Sequence, residues 1–103
     1  MKLFLFVCGI MCSVWAAAED AIWIDVRTAG EYQSGHIESA TSIPHNQITE
    51  KIAELQLDKD TPILLYCRSG RRASVAQEAL EKLGYSNVTN IGGLEDARDY
   101  LKQ

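Results

Sequence analysis

Apolar positions divide this chain into short runs that suit buried strands and longer stretches with a helical repeat. Ala21-Ile22-Trp23-Ile24-Asp25 is a brief apolar run ending in a carboxylate, the pattern of a buried strand. Thr28 stands three residues before Glu31, a capping box that starts a short helix, and Gly35 ends it. Ala40 to Ile43 predicts a second short strand, stopped by Pro44. Asn46 is placed to cap a second helix, on which Ile48, Ile52 and Leu55 form one apolar stripe. Pro62-Ile63-Leu64-Leu65-Tyr66 is the most strand-like segment of the chain, and a polar, Gly-containing loop follows Cys67. Ala76, Ala79, Leu80 and Leu83 then mark a third helix from about Ala73, closed by Gly84 just past its end. Asn87 to Ile91 predicts another strand, Gly92-Gly93 a tight turn, and Leu94 to Leu101 a last helix.

Strands alternating with helices predict an α/β domain: a small, mainly parallel sheet flanked by helices on both faces. In such sheets function collects at the carboxyl ends of the strands. Cys67 stands at that end of the best strand, just before a helix.

The N-terminus belongs to a different pattern. Met1-Lys2 is a short positive segment, Leu3 to Trp15 is apolar and uncharged, and Ala16-Ala17-Ala18 supplies small residues before the polar Glu19-Asp20. This order predicts a secretory signal peptide over residues 1–18, a single domain over 19–103, and a periplasmic location. The run is shorter than the ~20 apolar residues of a membrane anchor, so no stable membrane association is expected after cleavage. Of the three cysteines, Cys8 and Cys12 would leave with the signal, and Cys67 would remain as the single thiol. Removing Lys2 takes the formal net charge from −4 to −5. An acidic domain of this kind is not expected to bind nucleic acid. Nothing in the pattern specifies an oligomer, so a monomer is the default.

Local charge around the thiol has the opposite sign. Cys67-Arg68-Ser69-Gly70-Arg71-Arg72 places three arginines within five residues after the cysteine, at the start of a helix. Helix N-termini offer free N–H groups and partial positive charge, and Gly70 lets successive amides turn inward as an anion nest. Each effect favours the reactive thiolate. Arginines at a helix N-terminus oppose the dipole and make better sense beside an anion than as a solvated face. The expected thiol pKa is therefore below the free value of about 8.5, although burial against Ile63-Leu64-Leu65 works against ionisation.

These residues resemble the rhodanese family, and the signal-like N-terminus and short length are similar to its exported, phage-shock-type single-domain members. Ile24-Asp25-Val26-Arg27 resembles the first-strand motif, Glu31 through Pro44 the second, Tyr66 through Arg72 the active-site loop, and Ile91-Gly92-Gly93-Leu94 the closing one. Leu94 stands where many relatives carry an aromatic residue. The resemblance implies a thiosulfate sulfurtransferase: Cys67 takes the outer sulfur of thiosulfate as a persulfide and passes it to a thiophilic acceptor such as cyanide or a thiol. By position it also implies that Arg68, Ser69, Gly70, Arg71 and Arg72 surround the anionic substrate.

Rival chemistries fit less well. A cysteine phosphatase or arsenate reductase needs five residues between cysteine and arginine to encircle a tetrahedral oxyanion; that position holds Ala73, and Arg72 comes one residue early. A disulfide oxidoreductase needs a resolving cysteine. Asp25 and Arg27 read as polar residues tying loops together, with Arg27 pairing Glu31 or another carboxylate. His36 reads as a brace for its loop, because an ionised thiolate needs no base. His36 and His45 lack zinc-type spacing with Cys67, no nucleotide-binding glycine motif follows a strand, and neither metal nor cofactor is expected.

Overall fold

The computed structural model describes residues 21–103, so the signal-like segment of residues 1–18 lies outside the described residues. The elements run β1 (Ile22–Asp25), α1 (Ala29–Ser34), β2 (Thr41–Ser42), a 3-10 turn (His45–Gln47), α2 (Ile48–Lys51) continued by a second 3-10 turn (Ile52–Leu55), β3 (Ile63–Cys67), α3 (Arg71–Lys82), β4 (Val88–Gly93) and α4 (Leu94–Leu101). The strands form one parallel sheet in the order β2-β1-β3-β4. No helix among the described residues is long and apolar enough to cross a membrane.

Strand β3 explains the layering. Its five residues are all buried, because side chains alternate between two covered faces. Ile63, Leu65 and Cys67 join Ile24 and Val26 under Ala73, Ala76 and Leu80 of α3 and under Ile48 and Ile52. Leu64 and Tyr66 join Trp23 on the other face, against Ala97 of α4, Tyr32 of α1, and Ile37 and Ala40. Each fully buried Ile or Leu contributes roughly 1.5–3 kcal/mol of apolar burial. The expected α/β sandwich, with helices on both faces of a parallel sheet, is the observed one.

Local differences have physical causes. Asn46 does not cap the second helix: Pro44, with φ −54°, starts a tight 3-10 turn that contains Asn46, and Gln47 occupies the next cap position without a side-chain bond. The third helix starts at Arg71 rather than Ala73, because Gly70 supplies the left-handed residue before it. Leu83 lies past the last turn of that helix and is 42% exposed rather than part of its buried stripe. Gly92 and Gly93 are not a separate turn but the end of β4. The Thr28–Glu31 capping box forms as expected, with the Glu31 amide and Thr28 Oγ1 3.2 Å apart and the Thr28 amide 3.0 Å from Glu31 Oε1.

Candidate active site

Strand β3 delivers Cys67 to the carboxyl edge of the sheet, and only Arg68-Ser69-Gly70 separate it from α3. So short a connection must reverse sharply. Gly70 does this with φ +99°, a left-handed conformation that side chains disfavour. The reversal turns its N–H back onto the thiol, where it donates to Cys67 Sγ at 2.9 Å. Cys67 as a residue is almost fully buried, at 1% exposure. Burial is the largest single influence on its acidity and pushes the thiol up. The backbone amides of Ala73, Ser69, Gly70 and Arg72 together outweigh it and hold the thiol below its ordinary value of 9.0. Backbone dipoles, more than the arginine charges, perform this lowering.

The three arginines do not act as one patch. Arg72 reaches across to α1 and makes a two-pronged pair with Glu31, Nη1 to Oε1 at 2.8 Å and Nη2 to Oε2 at 3.1 Å. This pair, reinforced by the Thr28 amide, brings the Glu31 carboxyl from 4.5 down to about 2. The guanidinium is held charged chiefly by Glu31 and secondarily by Cys67. Arg68 and Arg71 are exposed, and among the described residues neither has a carboxylate partner. Arg72→Ala should lower kcat/KM for thiosulfate roughly tenfold, the low end expected for a charged hydrogen bond at a part-exposed position. Steady-state kinetics with a thermal melt will check this; unchanged kcat/KM in a folded variant would transfer the role to Arg68 or Arg71.

A second wall comes from the end of β4. Leu65 pairs with Asn90 but Tyr66 pairs with Gly92, so Ile91 is an extra, bulged residue. The bulge brings Gly93 against the loop so closely that a Cβ there would fall into the backbone carbonyl of Arg68. Asn90 sits at the same place. Its Nδ2 donates to the Gly70 carbonyl at 2.9 Å, and its Oδ1 accepts from the Gly92 N–H at 2.9 Å. The Glu31–Arg72 and Asn90–Gly70 contacts join residues 41 and 20 positions apart. Neither was visible as a pair in the sequence, though Glu31 lies inside a motif and Asn90 directly precedes another.

The remaining polar residues brace the scaffold. Arg27 pairs with Asp25, not with Glu31: Nε lies 3.0 Å from Oδ1 and Nη2 lies 2.7 Å from Oδ2, while Nη2 also donates to the Gly35 carbonyl at 2.6 Å. Tyr66 Oη accepts the Ile37 N–H at 3.0 Å, and burial pushes its phenol up to about 12. His36 stacks on Tyr32 at 3.6 Å between ring centres, with Nδ1 2.7 Å from the Tyr32 carbonyl. None of these groups approaches Cys67 through a hydrogen bond.

Comparison with known proteins follows the same lines. The family model of the rhodanese-like domain matches residues 13–99. The thiosulfate sulfurtransferase PspE of Escherichia coli K12 is 42% identical over 74 residues, 72% of this chain and 71% of its own. A sulfurtransferase of Allochromatium vinosum is 36% identical over 78 residues, 76% of this chain and 71% of its own. Among solved structures, a rhodanese with anions from E. coli superposes with a TM-score of 0.71 at 41% identity, covering 74% of this chain and 89% of that one. The parallel sheet, the thiol at the end of β3 and these similarities make this chain a member of the rhodanese-like domain family.

Proposed function

We propose that the chain is a thiosulfate sulfurtransferase in which Cys67 carries the transferred sulfur. The supporting observation is the buried Cys67 thiol with the Gly70 N–H on its sulfur and the neighbouring loop amides favouring its ionised form. The thiolate attacks the outer sulfur of thiosulfate. A bond forms between Sγ and that sulfur, the sulfur–sulfur bond of thiosulfate breaks, and sulfite leaves with the bonding pair. The persulfide that remains carries its negative charge on the outer sulfur, one bond beyond Sγ. A thiophilic acceptor such as cyanide or a thiol then attacks the outer sulfur and restores the Cys67 thiolate. No proton transfer is needed at the first step, because the nucleophile enters as an anion.

The exposed Arg68 and Arg71 supply the positive field that draws a dianionic donor toward an acidic domain, while Arg72, oriented by its pair with Glu31, hydrogen-bonds the donor beside Cys67. Export to the periplasm completes the reading and rests on the Met1–Ala18 pattern. Intact-mass analysis of protein from a cell-envelope fraction addresses both. The expected mass starts near Glu19 and increases by one sulfur after thiosulfate treatment. Alkylation of Cys67 by iodoacetamide should titrate below a free cysteine, full rates persisting as pH falls until it passes the lowered thiol value. A chain retaining Met1 would overturn export, and absence of the added sulfur would overturn the persulfide.

A further inference from the structure

Asn90 holds the loop through the rear of the peptide group that follows the critical amide. The Gly70 N–H faces the sulfur at 2.9 Å, while the carbonyl of the same residue faces away from it. That carbonyl accepts from the Asn90 side-chain amide at 2.9 Å and from the Ser74 N–H at 3.0 Å. The Ser74 bond is the first turn of α3 and stabilises any helix starting there. The Asn90 bond comes from a different element, and it fixes where the turn lies relative to the sheet. Asn90 is itself immobilised, because its Oδ1 accepts the Gly92 N–H at 2.9 Å. The bulge at Ile91 is what makes both bonds available to one side chain. Gly70 itself lies against β4, a Cβ there falling in contact range of the Gly92 Cα at 3.4 Å and of Asn90 Oδ1 at 3.8 Å.

We propose that Asn90 is a positioning residue of the site: by clamping the Gly70 carbonyl to β4 it keeps the Gly70 N–H aimed at Cys67 Sγ. Asn90 makes no hydrogen bond to the thiol and acts only through Gly70. The inference rests on the reading of Cys67 as the reacting thiolate, and it adds a residue that no loop motif contains.

The test compares Asn90→Ala with Gln77→Ala. Gln77 Nε2 donates to the Val88 carbonyl at 3.0 Å, a bond that also ties α3 to β4 but lies at the other end of that strand. A purely structural role predicts the same result for both variants. Positioning predicts that both lower the melting temperature, whereas only Asn90→Ala raises the pH midpoint of Cys67 alkylation. The expected rise is at least half a pH unit, which at pH values below the midpoint corresponds to a roughly threefold or larger loss of thiolate. The rate of sulfur loading from thiosulfate should fall by the same factor at low pH and recover at high pH. An unchanged midpoint in folded Asn90→Ala overturns the proposal. Should that variant fail to fold, Asn90→Ser, whose side chain is too short to span both partners, gives the same decision. Alkylation needs no sulfur acceptor, so failure of wild-type sulfur transfer would sink the proposed function while leaving the Asn90 result readable.

Discussion

Cys67→Ser will lose sulfur transfer by roughly 10³-fold or more while keeping its fold, since removing a covalent nucleophile costs a reaction its intermediate rather than one contact. A serine hydroxyl stays protonated among the same amides, and its oxygen cannot hold a sulfur for onward transfer. The folded state tolerates the change because the Gly70 N–H that reached the sulfur can reach the hydroxyl instead, leaving a cost of about 1 kcal/mol. A thiosulfate–cyanide assay beside a thermal melt separates the two effects. Activity within tenfold of wild type would mean that sulfur passes directly from donor to acceptor without an enzyme-bound stage.

The largest stability effect is expected at Asp25→Ala. Asp25 is wholly buried and Arg27 is 6% exposed, and the carboxylate accepts from the Arg27 backbone N–H at 2.9 Å as well as from its guanidinium. Removing it leaves a buried cation with the Gly35 carbonyl and the face of the Tyr66 ring but no carboxylate, a loss of about 3–5 kcal/mol. That is a large part of the total stability of a small domain. A melt followed by circular dichroism should shift downward by at least about 12 °C, or show no folded state at all. A shift below about 4 °C would mean that Arg27 finds solvent and that the pair carries little.

Much of this arrangement could be read from residue order. The β3 run predicts its own burial because an uninterrupted Ile63-Leu64-Leu65 can only be covered on both faces, and the thiol at its end follows from the chain direction. The Thr28–Glu31 box is legible because its partners are three residues apart. What could not be read depends on neighbours supplied by the fold. Glu31 serves the cap and also Arg72, so Arg27 turns to Asp25 instead. Asn46 has the right side chain for a cap, but the proline two residues earlier decides the turn. Gly92 and Gly93 resemble a turn in sequence, yet a one-residue bulge makes them the surface against which the loop after Cys67 rests. Lowering of the thiol by amides more than by arginines is likewise a matter of orientation, which composition does not encode.

The close approach of Gly93 to Arg68 also links the thiol to the order in which the chain is made. β1 can pair with β3 only after the intervening residues have closed a long loop, since Ile22 lies beside Ile63, and such distant parallel pairings form slowly. Even then the loop after Cys67 has no support on its β4 side until Asn90, Gly92 and Gly93 arrive near the end of the chain. A chain that stops short of β4 would therefore carry Cys67 on a loop braced from one side alone. The loop that carries the amides beside the sulfur is held from both sides only when the last strand docks, so its final geometry waits for nearly the whole domain.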